Sequence, residues 1–329
     1  MSVRKEFQEI QMKIAVVGCG HWGKNLVRNF SELGVLSYVC DQNPSTVEYI
    51  KNNYRGVEVT DSIDELLARD DIDGLVIATP ASTHYQLARK ALLAGKNVYV
   101  EKPLAQNFSE AEELHSIAQE RDIVLMVGHL LLYHPAVNKL KSLIESGELG
   151  QINYLNSDRR NFNPNHRNDS DVMWDLAPHD LSMMSYILSA EPTDVLAARA
   201  WASDDDGVID VVHLDMLFPN NIGAHIHNSW LDPQKQALLT VNGSKKTAVL
   251  NDVFKENKLE IYSRNADGSL TVEKPVYSND EPLRLECKHF LDCIENKAVP
   301  TSDGNNGSQI VRTLERCQKM MCVGTLSPA

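Results

Sequence analysis

The chain has 329 residues, and its 32 Lys and Arg against 45 Asp and Glu give a formal net charge of −13 at pH 7. This length fits two domains of ordinary size, and the acidic balance argues against nucleic acid or anionic membrane surfaces as general partners, because both would repel the chain. Hydrophobic residues at 43% and charged residues at 23% exclude a disordered, collagenous or coiled-coil chain.

The sequence also predicts where the protein works. No apolar run reaches the roughly 18 residues that cross a bilayer, and the polar segment 1–12 lacks the apolar centre of a secretory signal. The six cysteines have no CxxC spacing and are expected to be buried thiols of a reducing compartment. We therefore predict a soluble cytoplasmic protein without a membrane partner.

Residues 1–128 alternate short apolar runs with helix-length segments. Each run is continuously apolar, as strands buried on both faces of a parallel sheet require. The runs are 13–17, 36–40, 74–78, 97–100 and 124–128. This rhythm predicts a doubly wound α/β domain over residues 1–128.

The sequence GCGHWG follows the first predicted strand and opens a predicted helix. Gly18 permits a tight turn, Gly20 lets backbone N–H groups approach a pyrophosphate, and Gly23 lets the helix pack on the strand. The helix N-terminus adds about half a positive charge toward the phosphates. The motif thus predicts a dinucleotide site, the alternative being a structural turn. The other predicted contacts of this loop are His21 and Trp22.

Asp41 ends the second predicted strand. A carboxylate at this position accepts hydrogen bonds from the ribose 2′-OH and repels a 2′-phosphate. It therefore predicts NAD as the cofactor in preference to NADP. The alternative is that Asp41 only caps the next helix, ahead of Pro44.

Lys102 stands between Glu101 and Pro103, just beyond a predicted strand and therefore at the carboxyl edge where open α/β sheets bind ligands. Pro103 ends strand pairing and turns the chain. A lysine against a bound nicotinamide can stabilise negative charge on a reacting oxygen. A surface lysine at a strand end is the alternative.

After residue 128 the pattern changes, and residues 129–329 are predicted to form a second domain for substrate binding and oligomerisation. A helix is expected over 135–146, and Asn-Gly and similar turn signals predict a largely antiparallel sheet over 151–274. Two terminal helices are expected over 282–296 and 306–323.

The segment 159–168 has three arginines and no acidic residue in an otherwise acidic chain. Such a patch suits an anionic, hydroxyl-rich ligand such as a sugar acid or a nucleotide sugar. Pairing with the nearby Asp158, Asp169 and Asp171 is the alternative. The predicted substrate contacts in this segment are Arg159, Arg160, Asn163 and Arg167.

The sequence WDLAPHD contains Pro178, which is favoured in the first turn of a helix. We therefore expect a helix over 178–188, with Asp175 near its N-cap and His179 in its opening turn. The helix terminus would keep the imidazole neutral and able to accept a proton, while a nearby Asp175 would pull the other way. A capping aspartate and a buried histidine are the alternative.

His225 and His227 are two residues apart on a predicted strand and hence share one face. No carboxylate or cysteine at matching spacing completes a metal site. An exposed or interfacial sheet face is therefore favoured, and no metal is predicted.

Taken together, GCGHWG, ATPASTH, VEKP and WDLAPHD resemble the Gfo/Idh/MocA oxidoreductase family. The resemblance implies an N-terminal Rossmann domain and a C-terminal open-faced sheet through which the chain forms a homodimer or homotetramer. It implies a catalytic group of Lys102, Asp175 and His179, of which Lys102 and His179 also contact the substrate. The further cofactor contacts that it implies are Thr79, Pro80, His84, Glu101 and Lys102.

The branch that looks most similar includes nucleotide-sugar 3-dehydrogenases such as the UDP-N-acetylglucosaminuronate enzyme. The implied reaction is hydride transfer from a sugar carbinol carbon to C4 of the nicotinamide. His179 would take the hydroxyl proton, Lys102 would stabilise the oxygen and Asp175 would orient His179, although Lys102 and His179 could exchange roles. A neutral-polyol dehydrogenase and a non-catalytic NAD- or sugar-sensing regulator remain as alternatives.

Overall fold

The computed structural model describes residues 12–163, 170–202 and 208–325. Within them the strands form two sheets, one of six strands and one of nine. No helix in these ranges is long and apolar enough to span a bilayer.

The first sheet is parallel throughout and has the strand order β3-β2-β1-β4-β5-β6. Its strands are β1 (Ile14–Val17), β2 (Leu36–Cys40), β3 (Glu58–Thr60), β4 (Gly74–Ile77), β5 (Asn97–Glu101) and β6 (Leu125–Gly128). The helices between them are α1 (Gly23–Glu32), α2 (Pro44–Asn53), α3 (Ile63–Leu67), α4 (Ala81–Leu93) and α5 (Phe108–Arg121). The order reverses between β1 and β4, which makes this the switch point at which doubly wound sheets bind ligands.

The predicted doubly wound domain is confirmed. Every residue of β1, β4 and β6 is buried, as the continuous apolar runs indicated. The sequence did not indicate β3, because this edge strand has only three residues and none of them is buried.

The second sheet is mainly antiparallel, as predicted, with the order β14-β13-β12-β11-β7-β10-β9-β8-β15. Its parallel pairs are β7 with β10 and β8 with β15. Its strands are β7 (Ile152–Phe162), β8 (Asp194–Ala202), β9 (Val211–Phe218), β10 (Ile222–Ser229), β11 (Leu231–Gly243), β12 (Lys246–Asn251), β13 (Leu259–Arg264), β14 (Leu270–Glu273) and β15 (Cys322–Thr325). The helices of this half of the chain are α6 (Pro135–Glu145), α7 (Val172–Leu188), α8 (Pro282–Asn296) and α9 (Gly304–Met320).

The terminal helices also pack on the first sheet, so the two halves of the chain share part of their packing. Phe290 of α8 packs edge-on against Tyr99 of β5, with ring centroids 5.8 Å apart. On α9, Val311 belongs to the core of the first sheet and Ile310 to that of the second. The backbone N–H of Val127 donates to the carbonyl oxygen of Ser302 at 2.7 Å. The two sheets are separate along the sequence, but the packing around the first one includes helices from the end of the chain.

Two local predictions at the ends of helices are corrected. Helix α7 begins at Val172, because the side chain of Asp171 accepts a hydrogen bond from the N–H of Trp174 at 3.0 Å and caps the helix there. Pro178 therefore lies inside the helix. Helix α9 ends at Met320, and the chain continues as β15, where Cys322 is exposed; the other five cysteines are buried.

Candidate active site

The glycines of the loop between β1 and α1 have three different surroundings. Gly18 has φ +87°, and a Cβ there would lie 2.7 Å from the carbonyl oxygen of Ala78. A Cβ on Gly23 would collide with the carbonyl oxygen of Gly18, whereas a Cβ on Gly20 would meet nothing within 4 Å. Two glycines therefore permit tight packing, and the third leaves open space before the N-terminus of α1. This arrangement fits a pyrophosphate.

Asp41, directly after β2, is tied to the same loop. Its Oδ2 accepts a hydrogen bond from the N–H of Cys19 at 2.7 Å, and its Oδ1 accepts one from the N–H of Asn43 at 2.8 Å. The cap of α2 is Asn43, so the alternative role of Asp41 as the helix cap is excluded. The carboxylate stands at the strand end where a ribose is bound in this fold.

The loops after β4 and β5 are joined through His84, which is 1% exposed. Its Nδ1 lies 2.7 Å from the carbonyl oxygen of Pro103 and its Nε2 lies 2.9 Å from that of Thr79. With both nitrogens facing backbone oxygens, the ring positions two loops, which corrects its assignment as a direct cofactor contact. Thr79 is partly buried and Pro80 is exposed at the start of α4, and both remain predicted contacts.

Lys102 follows β5 and crosses to helix α7. Its Nζ donates to the carbonyl oxygen of Asp175 at 2.6 Å and to Asp175 Oδ1 at 3.0 Å. The two side chains are 12% and 13% exposed, so solvent screens this pair only weakly. The carboxyl edge of the first sheet and a helix of the second half of the chain therefore meet at one ion pair.

His179 lies four residues after Asp175 and hence on the same face of α7, one turn further along. Because the helix begins at Val172, Asp175 is in the first turn but His179 is not. The influence of a helix terminus fades within one turn. The predicted effect of the helix N-terminus on His179 is therefore corrected, while the proximity of Asp175 to both Lys102 and His179 stands.

His129 is a residue of this site that the sequence analysis missed. Glu101 of β5 pairs with Gly128 of β6, so the next residues, Lys102 and His129, are neighbours on one face. His129 is 1% exposed, and among the described residues neither ring nitrogen has a hydrogen-bond partner. Burial and the nearby Lys102 ammonium lower its pKa to about 3, so this imidazole is neutral. A histidine directly after an apolar strand run was the available signal.

Glu101, the last residue of β5, turns toward the glycine-rich loop, whereas Lys102 reaches α7. It is 9% exposed, and its Oε1 accepts a hydrogen bond from Trp22 Nε1 at 2.6 Å. Burial raises the pKa of Glu101 to about 7, although Trp22 and Lys102 oppose the rise. Trp22 is thus held by the protein, and His21 beside it is exposed.

Arg159 and Arg160 point to opposite faces of their strand. Arg159 lies on the side of α7, where its Nε donates to Asp180 at 2.9 Å. Arg160 is held on the outer face by Asp158 and Asp232, at 2.7 Å and 2.6 Å. The prediction that both arginines line one substrate site is therefore corrected: Arg160 has the alternative, carboxylate-paired role.

The remaining residues of the basic segment are less informative. Asn163 is partly buried, and its backbone N–H donates to Trp230 at 2.9 Å. Arg167 lies outside the described residues. Asn163 and Arg167 both remain predicted substrate contacts.

The two histidines of β10 lie on the outer face of the second sheet with His213 of β9. The rings of His213 and His227 are stacked with centroids 4.2 Å apart, and His225 Nδ1 lies 2.8 Å from Asp215 Oδ1. Burial and the neighbouring imidazoles lower the pKa of His213. In the described ranges, no three His, Cys, Asp or Glu side chains are arranged to hold a metal ion.

A glycine loop shaped for a pyrophosphate, a carboxylate at the next strand end and a buried lysine–aspartate pair beside a histidine define a dinucleotide-dependent oxidoreductase. Two family models match the chain: an oxidoreductase family with an NAD-binding Rossmann fold, over residues 12–129, and the GFO/IDH/MocA C-terminal domain, over residues 137–249. The chain belongs to the Gfo/Idh/MocA family and is an NAD(P)-dependent dehydrogenase, which excludes the non-catalytic alternative.

Three relatives illustrate the range of the family. UDP-N-acetylglucosamine 3-dehydrogenase from Acidithiobacillus ferrooxidans is 30% identical over 92% of this chain and 95% of its own length. Its solved structure has a TM-score of 0.83 at 27% identity, covering 94% of this chain and 97% of that one. Inositol 2-dehydrogenase from Rhizobium meliloti is 26% identical over 90% of this chain and 92% of its own. A 3-ketoreductase from Actinomadura kijaniata, solved with TDP-benzene and NADP, has a TM-score of 0.82 at 16% identity, covering 96% and 99%.

Proposed function

We propose that the protein oxidises the 3-hydroxyl of a UDP-linked N-acetylhexosamine, or of the corresponding uronic acid, with NAD as the acceptor. The observation that carries this proposal is the Lys102–Asp175 pair, with His179 one turn away, at the carboxyl edge of the cofactor-binding sheet. The relative that acts on UDP-N-acetylglucosamine matches nearly the whole chain and supports the substrate class.

In this reaction the nicotinamide, when bound, accepts a hydride at C4. Lys102 uses two of its three N–H donors on Asp175, and the third is available to the substrate oxygen. Its positive charge stabilises the alkoxide as the hydroxyl proton leaves. His179 takes that proton, and Asp175 holds the ammonium in place and lies next to the imidazole.

Substrate recognition is proposed to use Arg159. Its Nε is bound to Asp180, which is fully buried and also accepts from Ser157 and Asn228. The terminal nitrogens of the guanidinium make no contact within the described residues, so a planar pair of donors remains for a diphosphate or carboxylate. The buried anchor fixes the direction in which these donors point.

A substrate panel tests the proposal directly. Initial rates with NAD are measured for UDP-N-acetylglucosamine, its uronic acid, myo-inositol and free glucose. The UDP sugars are expected to give a kcat/KM at least tenfold above that of the neutral polyols, because only they carry a diphosphate. Higher turnover of myo-inositol would instead support the neutral-polyol alternative.

The preference for NAD is proposed on the position of Asp41. Asp41→Ala removes the charge that repels a 2′-phosphate and is expected to shift the ratio of kcat/KM for NAD to that for NADP by about tenfold toward NADP. Asp41→Asn is the matched variant that keeps the size of the side chain and removes the same charge, so a shift caused by the charge should appear in it as well. An unchanged ratio in Asp41→Ala would remove Asp41 from cofactor selection.

We also propose a cytoplasmic homo-oligomer assembled through the outer face of the second sheet. Tyr154 and Phe162, both on this face of β7, are 49% and 62% exposed, and apolar side chains on an open sheet are typical of an interface. Light scattering after size exclusion measures the assembly. Phe162→Asp is expected to shift it toward the monomer.

A further inference from the structure

A chain of acidic groups lies buried beneath the glycine-rich loop. Tyr99 and Glu101 are two residues apart on β5 and therefore on one face, with the Tyr99 hydroxyl donating to Glu101 Oε1 at 3.4 Å. Glu286 of α8 is on the same side and 0% exposed, and within the part of the chain that the structure describes neither of its carboxyl oxygens makes a hydrogen bond of ordinary geometry. Two carboxyl groups and a phenol thus share an apolar environment.

The charges around these groups do not neutralise two carboxylates. The ammonium of Lys102 favours the charged form of Glu101, but it is already paired with Asp175 at 3.0 Å. The ionisable neighbours supplied by α8 and by the 3-10 turn after β6 are Cys287 and Tyr133, whose pKa values burial and Glu286 raise. Burial and the nearby Glu101 raise the pKa of Glu286 well above its usual range and so favour its neutral form.

Glu101 connects this buried group to the cofactor loop. Its Oε1 accepts the indole N–H of Trp22 at 2.6 Å, and Trp22 is two residues beyond Gly20, where the loop leaves open space. A pyrophosphate bound there brings two negative charges to the loop that holds Trp22, and solvent screens the Glu101 carboxyl group bonded to Trp22 only poorly. Those charges favour the protonated form of Glu101.

We propose that Glu101 is the proton-linked switch of the glycine-rich loop: binding of the dinucleotide draws one proton from the solvent onto the Glu101 carboxylate. An O–H bond forms on Glu101, the buffer acid supplies the proton, and nothing is oxidised or reduced. Tyr99, which donates to Glu101, and Glu286, which is buried beside it and disfavours a second charge there, are positioning residues. The proposal depends on dinucleotide binding alone and not on the sugar.

The direction and size of the effect follow from the free protein. With a pKa of about 7, Glu101 is about half protonated at neutral pH. NADH is expected to add up to about half a proton per site at pH 7. NAD⁺ is expected to add less, because its nicotinamide ring carries a positive charge that offsets part of the pyrophosphate. Affinity for NADH should accordingly weaken as pH rises from about 6 to about 8.

Calorimetry measures this uptake without any turnover. NADH and NAD⁺ are titrated into the protein at pH 7 in buffers with different enthalpies of ionisation, and the slope gives the protons bound. In Glu101→Gln, the number of protons taken up on NADH binding is expected to be close to zero. His21→Asn is the control, because it removes the exposed histidine of the same loop.

Two results of this experiment would overturn the proposal. One is a slope of zero in the wild-type protein. The other is an uptake that survives in Glu101→Gln and disappears in His21→Asn. If no sugar of the substrate panel is oxidised, the calorimetric result is unaffected. The failure of the proposed function can therefore be distinguished from the failure of this inference.

Tryptophan fluorescence of the free protein gives a second measurement that does not require Glu101→Gln to fold. The emission difference between wild type and Trp22→Phe is expected to titrate with a midpoint near pH 7. A transition that persists in Trp22→Phe belongs to another tryptophan, such as Trp201, which packs on His213 with ring centroids 5.5 Å apart. A flat difference between about pH 5.5 and about pH 8.5 contradicts the proposal.

Glu286→Gln tests the positioning role in the same titration. Because the neutral form of Glu286 is favoured, the amide should leave the midpoint of the Trp22 signal unchanged, whereas Glu286→Lys should lower it by more than about one pH unit. A midpoint that falls equally in Glu286→Gln would show that Glu286 is charged and does not act as proposed.

Discussion

The molecule has two pairs of neighbouring charged residues, Glu101 with Lys102 and Arg159 with Arg160. In each pair the two side chains point in different directions. Lys102 and Arg159 turn toward α7, each bound to an aspartate of that helix. Glu101 turns into the core beneath the cofactor loop, and Arg160 into a carboxylate network on the outer sheet face. Adjacent charged residues can therefore have unrelated roles, because their side chains point in different directions and meet different surroundings.

The largest expected effect tests Lys102. Lys102→Met keeps the length of the side chain but removes its charge, and kcat is expected to fall by about 10²–10⁴, while NAD binding measured by calorimetry persists. His179→Ala is expected to lose activity on the same scale. A loss below tenfold would show that the residue takes no part in the chemical step. It would also contradict the different roles given to Lys102 and Glu101.

Glu101→Gln tests the other member of this pair through stability. The pKa of Glu101 is raised from 4.5 to about 7 in the folded protein, so the native state prefers the protonated form. The contribution of this pKa shift to the free energy of unfolding is present in full below pH 4.5 and is lost as pH rises through 7. It amounts to on the order of 3 kcal/mol.

Urea unfolding at about pH 5 and about pH 8 measures this contribution. Wild type should lose stability over this interval relative to Glu101→Gln, which cannot ionise there. Parallel pH dependence in the two proteins would mean that Glu101 is not the titrating group.

The two arginines provide the next comparison, with a matched pair of substitutions. Arg159→Met is expected to raise KM for a UDP sugar by about tenfold, the loss of roughly one charge-assisted hydrogen bond. Arg160→Met is expected to leave KM within about twofold, since its partners are carboxylates on the outer face. Equal effects of the two substitutions would contradict the division of the strand into a substrate face and an outer face.

The smallest effect concerns His129, the neighbour of Lys102. An unpartnered buried imidazole costs folding energy, so His129→Leu is expected to raise the free energy of unfolding by about 1 kcal/mol. His129→Asn keeps a buried polar group and should not. A destabilised His129→Leu protein would show that the imidazole has a partner that supports the fold.

The sequence predicted the parts of the molecule that obey short-range rules. Continuous apolar runs indicated the buried strands, and the glycine spacing indicated a loop whose three glycines do have different surroundings. Lys102 was located by its place after a strand and before a proline. Each of these signals lies within a few residues of the feature that it predicts.

The features that the sequence did not predict depend on contacts between distant segments. Pro178 suggested a helix start, yet the cap at Asp171 places the start six residues earlier than 178, at Val172. His84 looks like a cofactor contact until the loops of Thr79 and Pro103 close on it. The buried state of Glu101 depends on α8, which lies far along the chain. The hydrophobic pattern of one segment does not show which residues of a distant segment will contact it.

The return of α8 and α9 to the first sheet has a practical consequence for dissecting the protein. A fragment that stops at the end of β6 would expose Tyr99 and Met126, which are fully buried in the whole chain. A self-standing nucleotide-binding module would therefore have to join residues 12–134 to residues 282–320 through a short linker. In this architecture, the second sheet is an insertion within the nucleotide-binding unit.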